Sequence, residues 1–190
     1  FQPRRNLMTG DVVIAEALLR WNHPELGPIS PAEFIPIVEA TPYARQLTVW
    51  VIDHSLACLA DAKARGIDLR LSINLSAFNL DEPDFFDRLI AALDQHQVDA
   101  DRIEFELTET AMMMETERSV ALLSRMKDAG ISLAIDDFGT GYSSLAYMQK
   151  LPADIVKIDR SFVADMENGN RERVLVRSMI DLSHGLGYRV

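Results

Sequence analysis

Six residues able to bind metal or move charge recur at matching places along the chain: Glu16, Asn74, Glu106, Asp136, Asp137 and Lys157. Each falls near the C-terminal end of an apolar stretch that reads as a β-strand. In AIDDFGTGYSSL (134–145) two carboxylates stand side by side and a glycine-containing loop follows. Adjacent like charges stay ionised only with a cation beside them. Four carboxylates and an amide carbonyl are hard oxygen donors, the ligand set of Mg²⁺ or Mn²⁺ rather than of zinc. Two such ions about 3.5–4 Å apart, bridged by one aspartate, would activate a water and brace a leaving oxygen.

Taken singly, each residue has a duller explanation. A lone acid at a strand end is commonly a helix cap or turn residue. Asn74 could cap a turn, Lys157 could be a surface or core-rim lysine, and Asp159 in KIDRSF could cap the helix after it. Capping does not account for the same chemistry on five successive strand ends. Competing sites are weaker. His54 and Cys58 have the i, i+4 spacing of a helical metal pair, but they continue the apolar stripe Leu47, Trp50, Val51 and read as core. The other histidines are dispersed, which disfavours zinc and a Ser-His-Asp arrangement. GTGYSS lacks the glycine spacing and the Lys-Ser/Thr ending of a phosphate loop. The run Met112–Met114 reads as adaptable packing.

The elements that must position these residues alternate. Strands are expected over 11–21, 69–76, 102–109, 132–138 and 154–160. Helices are expected over 30–40, 45–66, 81–96, 115–130 and 170–187, and YRV at the end opens a further strand. Two joints repeat: KARGIDL (63–69) and KDAGISL (127–133) share Lys-x-x-Gly-Ile-x-Leu, a helix cap running straight into a strand. Asn74, Glu106 and Asp136 lie roughly thirty residues apart, about one βαβ step. Such alternation predicts a parallel sheet. Within RIEFELTE and LRLSINLS apolar and polar residues alternate, whereas a sheet covered on both faces is apolar at both parities. An α/β fold of the TIM-like (β/α)₈ barrel type is therefore expected, with polar residues facing the lumen and the chemistry at the C-terminal mouth.

Composition narrows the rest. With 190 residues, 48% hydrophobic and 25% charged, the chain suits one globular domain. The net charge of −10, with its basic residues scattered, argues against a nucleic-acid polymer as partner. An anionic ligand remains compatible if bound cations supply positive charge. No apolar run is long enough to span a membrane. The single cysteine, Cys58, suits a reducing, cytoplasmic setting.

AEALLRWNHPELGPISPAEFIPI, INLS, FELTET, AIDDFGTGYSSLAYMQKLPADIVKID and RSFV together resemble the EAL-domain cyclic-di-GMP phosphodiesterases, whose name is spelled at Glu16-Ala17-Leu18. The resemblance covers nearly the whole chain. It implies a TIM-like barrel that hydrolyses one phosphodiester of c-di-GMP to linear pGpG with Mg²⁺ or Mn²⁺. It implies Glu16, Asn74, Glu106 and Asp136 as ligands of a first ion, and Asp137 as a ligand of a second, with Asp136 bridging. By the same resemblance Lys157 orients the attacking water, and Glu109 holds the DDFGTGYSS loop, which would act as a gate. Gln2, Leu18 and Arg20 match positions near the bound dinucleotide. Flanking sensor or cyclase domains and a homodimer are implied as partners.

Three departures stand out. An Arg-Gln pair usual after Asn-x-Ser-Ala is Phe78-Asn79, which removes a positive charge near the mouth. A family glycine is Pro42. The chain also enters its first strand already under way and stops at GYRV, before a seventh-strand segment resembling Ala-Glu-Gly-Val-Glu, whose glutamate helps bind metal. The expectation is thus a single EAL domain over residues 1–190, incomplete at both ends of the barrel and cut from a longer polypeptide. The alternative is a catalytically inactive EAL domain serving as a c-di-GMP receptor or interaction module.

Overall fold

The computed structural model describes residues 1–113, 117–141, 148, 151–164, 166 and 169–190, without the side chains of Val13 and Met113. YSSL of the expected gate, Met114 and the expected helix start at 115–116 lie outside the described residues. The chain divides into two compact units, Phe1–Glu104 and Phe105–Val190.

In the first unit β1 (Gln2–Arg5) runs antiparallel to β2 (Val12–Ala17), with Gln2 opposite Glu16. β2 then pairs in parallel with β5 (Leu71–Asn74), with Glu16 opposite Ser72. The antiparallel β1 departs from the parallel sheet expected. Only residues 6–11 join β1 to β2, far short of the dozen or more a parallel crossover needs. That turn is built by Asn6, whose side-chain oxygen accepts the N–H groups of Met8 (2.8 Å) and Thr9 (3.1 Å). The expected strand over 11–21 also breaks after Ala17. Beyond it, β3 (Trp21–His23) and β4 (Gly27–Ile29) form a separate hairpin. The helices of this unit are α1 (Pro31–Glu39), α2 (Ala44–Ala64), α3 (Ala77–Leu80) and α4 (Phe85–His96).

β6 (Ile103–Thr108) closes the first unit and opens the second. There follow α5 (Glu109–Met113), α6 (Glu117–Asp128), β7 (Ser132–Phe138), β8 (Ile155–Ile158), α7 (Arg160–Ala164) and α8 (Asn170–Gly185). β7 and β8 pair in parallel, and the YRV end makes a parallel bridge from Arg189 to Ile155.

The repeated Lys-x-x-Gly-Ile-x-Leu joints have the same construction. Gly66 and Gly130 take positive φ (69° and 95°), and the following isoleucines donate back to Ala62 and Met126 at 2.9 and 3.1 Å. These are helix stops in which glycine adopts the left-handed conformation without a Cβ penalty.

The face of α2 departs from expectation. Its buried residues are Ala44, Ile52, Ser55, Leu56, Leu59 and Ala62, while Trp50 is 50% exposed and His54 lies on the surface. The sequence carries two neighbouring apolar stripes at helical spacing, and the core takes the other one. Trp50 instead packs on His54 (ring centroids 3.9 Å apart), whose Nδ1 lies 2.9 Å from the Trp50 carbonyl.

In β5 and β6 the polar parity is dry except at the strand ends, where Asn74 and Thr108 are exposed. Ser72, Glu104 and Glu106 are all buried, as are Leu71, Ile73 and Phe105. Glu104 is satisfied by an ion pair with Arg4 of β1, as a buried carboxylate requires.

Candidate active site

Expected site residues assemble within each unit. In the first, Asn74 ends β5 and its Nδ2 donates to Glu16 Oε1 at 3.0 Å. Gln2 lies in register with Glu16 on the neighbouring strand. Leu18 and Arg20 follow β2 directly. Arg20 is exposed, and its guanidinium donates to the carbonyl of Leu19 (2.8 Å).

In the second unit Lys157 of β8 is ion-paired with Glu106 of β6 and lies 3.0 Å from Asp136 of β7. Glu106 is 1% exposed. The β7–β8 register shifts between Ile135 and Phe138, across the two aspartates, and Asp137 adopts φ 53°. This is a left-handed backbone that few residues with a Cβ adopt, and strain of this kind collects at functional sites. Desolvation, reinforced by the charges of Asp136 and Asp159, pushes the Asp137 carboxyl above the usual carboxylate range against the pull of Lys157. Asp159 shifts the other way, held low by hydrogen bonds from the Ser161 hydroxyl and N–H.

Asp159 thus does two things. It caps α7, as its sequence position suggested, and it shares a hydrogen bond with Asp137. Its spacing of two residues from Lys157, on the same strand parity, was the available signal for the second role.

The chain after β7 is tied to Glu109, a residue 3% exposed. Its Oε2 accepts the N–H groups of Gly139 (2.8 Å) and Gly141 (3.2 Å). Both glycines sit where a side chain would collide. A Cβ on Gly141 would meet the Glu109 carboxylate at 2.8 Å, and one on Gly139 would meet Met179 Cε at 2.6 Å and Phe162 Cε2 at 2.8 Å.

Among the described residues no three Asp, Glu, His or Cys side chains stand close enough together to hold a metal ion, His54 and Cys58 included. The charge balance nevertheless fits a hard cation. Among the described residues the Lys157 ammonium meets Glu106 and Asp136 and pulls on Asp137, while the charges of Asp136 and Asp159 add to the burial that raises the Asp137 carboxyl.

Strand–helix repeats bearing oxygen donors and a lysine at their strand ends define an α/β domain of the TIM-like barrel class with an acidic centre. The family model described as EAL domain matches residues 1–190. The chain is 39% identical over 190 residues to a cyclic di-GMP phosphodiesterase of Pseudomonas aeruginosa, covering 100% of this chain and 32% of that protein. It is 38% identical over 191 residues to the cyclic di-GMP phosphodiesterase NbdA of the same organism, covering 100% of this chain and 24% of that protein. Among solved structures, the PaMucR phosphodiesterase in complex with c-di-GMP superposes with a TM-score of 0.92 at 33% identity. That match covers 98% of this chain and 76% of the other. The chain belongs to the EAL domain family, and the likeness bears out the expected fold class. The chain spans about a quarter to a third of the length of these curated relatives.

Proposed function

We propose that the chain hydrolyses cyclic di-GMP to linear pGpG with Mg²⁺ or Mn²⁺. The observation that carries this reading is the joint one: acids gathered around Lys157, in a chain all of whose given residues align with proteins named cyclic di-GMP phosphodiesterases. In this reading Glu16, Asn74, Glu106 and Asp136 would hold one ion, and Asp137 together with Asp136 would hold a second. When bound, the ions neutralise the phosphodiester and lower the pKa of the attacking water. Lys157, held between Glu106 and Asp136, orients that water and adds charge opposite the phosphate. Glu109 fixes the start of the loop after β7 through two backbone N–H groups, so that Asp137 stays in place. Gln2, Leu18 and Arg20 contact the dinucleotide, with the Arg20 guanidinium available to a phosphate oxygen.

The same reading treats residues 1–190 as one EAL domain of a cytoplasmic enzyme with flanking sensor or cyclase modules, able to form a homodimer. No helix among the described residues is long and apolar enough to cross a membrane. A relative from Pseudomonas aeruginosa, 32% identical over 191 residues, is named a bifunctional diguanylate cyclase/cyclic di-GMP phosphodiesterase.

Chromatography of c-di-GMP incubated with the protein and Mn²⁺ tests the assignment. Conversion to pGpG is expected. Glu16→Ala is expected to lower it on the order of 100-fold or more, since altering even the partners of metal ligands costs up to about that much. Undiminished turnover in Glu16→Ala overturns the site. Tight binding of c-di-GMP without hydrolysis in excess Mn²⁺ decides for a receptor.

A further inference from the structure

We infer that Asn79 is a positioning residue for Asn74. The inference rests on the reading of Asn74 as a metal ligand given above. Asn74 is the last residue of β5 and lies one position past the last pair of the β2 ladder, Ala17 with Ile73. The chain then passes through Leu75 and Ser76 into α3, and Asn79 holds that turn.

The Asn79 side chain is 1% exposed and works at both ends. Its Oδ1 accepts from the backbone N–H (3.2 Å) and hydroxyl (3.1 Å) of Ser76, two residues beyond Asn74. Its Nδ2 donates to Thr48 Oγ1 of α2 (2.9 Å) and to Glu82 Oε1 (3.1 Å). Glu82 is itself ion-paired with Arg88 and lies 3.6 Å from Arg45.

Chemistry allows the amide only one orientation. The Glu82 carboxylate and the Ser76 N–H can meet it only nitrogen to acid and oxygen to N–H. One buried amide therefore ties the end of β5 to a long helix and to a neutralised glutamate. In such a network loss of one member leaves several buried groups unsatisfied. Asn79 stands at the second position of the Phe78-Asn79 pair. Phe78 is 44% exposed; Asn79, one residue on, belongs to the interior.

Partners that orient a metal ligand typically affect affinity by 10- to 100-fold. The probe is Mn²⁺ itself, titrated into wild type, Asn74→Ala, Asn79→Leu, Asn79→Gln and Thr48→Val. Thermal unfolding without metal is followed in parallel. Asn79→Leu keeps the branched outline of the side chain and loses each of its hydrogen bonds, so roughly tenfold weaker Mn²⁺ binding is expected in folded protein. Asn79→Gln is expected to stay within about threefold of wild type, because glutamine at the third helical position closes the same reciprocal cap. Thr48→Val removes one support of the amide, and roughly threefold weaker binding is expected; it decides the matter if Asn79→Leu does not fold.

Wild-type Mn²⁺ affinity in folded Asn79→Leu, or in Thr48→Val where the leucine variant does not fold, overturns the inference while leaving the site intact. Loss of affinity in Asn79→Gln equal to that in Asn79→Leu also overturns it. A wild-type chain that binds no Mn²⁺, or binds it no better than Asn74→Ala, overturns the reading of the site and this inference with it.

Discussion

The C-terminal ends of β5 and β7 face the same task, holding a polar side chain at the point where a strand gives way to a turn, and they accomplish it in opposite ways. After β5 the support is a neutral amide, Asn79, with Ser76 on one side and Thr48 and Glu82 on the other. Backbone φ stays in the ordinary range there. After β7 the support is a buried carboxylate, Glu109, receiving two backbone N–H groups. Asp137 stands in a left-handed conformation beside Asp136 and Asp159. The first end is satisfied as it stands. The second carries strain and surplus negative charge, a combination suited to a group that exchanges cations and ligand.

The largest test of this contrast is crowding. At Gly139, φ is 101° and a Cβ would lie 2.6 Å from Met179 Cε and 2.8 Å from Phe162 Cε2. Gly139→Ala is expected to cost about 2–4 kcal/mol, from left-handed strain and overpacking together. Chemical denaturation followed by circular dichroism measures this. A loss below about 0.5 kcal/mol would mean that the β7 end yields easily, and the contrast with β5 would fail.

A smaller effect is expected at β5. Ser76→Ala removes the hydroxyl that Asn79 receives while leaving the backbone N–H contact. The cost expected is about 1 kcal/mol, a typical value for losing a helix cap. Because the groups are neutral, that cost should be the same at pH 4 and pH 8. Thermal melts at both values check this, and a pH-dependent cost would tie the β5 end to nearby charge after all.

The contrast also explains what the sequence could and could not disclose. Residue type and recurrence marked Glu16, Asn74, Glu106, Asp136, Asp137 and Lys157 as candidates, because hard-cation chemistry would restrict which side chains serve and strand ends restrict where they stand. The Lys-x-x-Gly-Ile-x-Leu joints were legible because a left-handed cap is a local requirement of glycine. Asn79 was not legible as a clamp: its partner Thr48 lies 31 residues away in the chain, and nothing local distinguishes a buried amide from an exposed one. The face of α2 was misread for a related reason. Two apolar stripes satisfy the same helical period, and only tertiary packing selects Ile52, Ser55 and Leu56 over Trp50 and His54. Antiparallel β1 was hidden by the strength of the strand–helix alternation downstream, although the short turn at 6–11 forced it.

The smallest effect is the most diagnostic. The Asp137 carboxyl titrates above the usual range in the folded chain, so the folded state holds its proton where the unfolded state, near pH 4, has released it. Stability attributable to this group is therefore present at low pH and falls as pH rises from the ordinary carboxylate value through the raised one. An asparagine in its place would carry no charge and would also tolerate the left-handed backbone better. Asp137→Asn is then expected to stabilise the metal-free protein. Solvent screening holds the charge-dependent share to on the order of a few tenths of a kcal/mol at neutral pH. That share should vanish by about pH 3, leaving only the backbone share. Melts of both proteins across this range separate the two. A stabilisation independent of pH would assign the strain at β7 to backbone alone, and the two strand ends would then differ in geometry but not in charge.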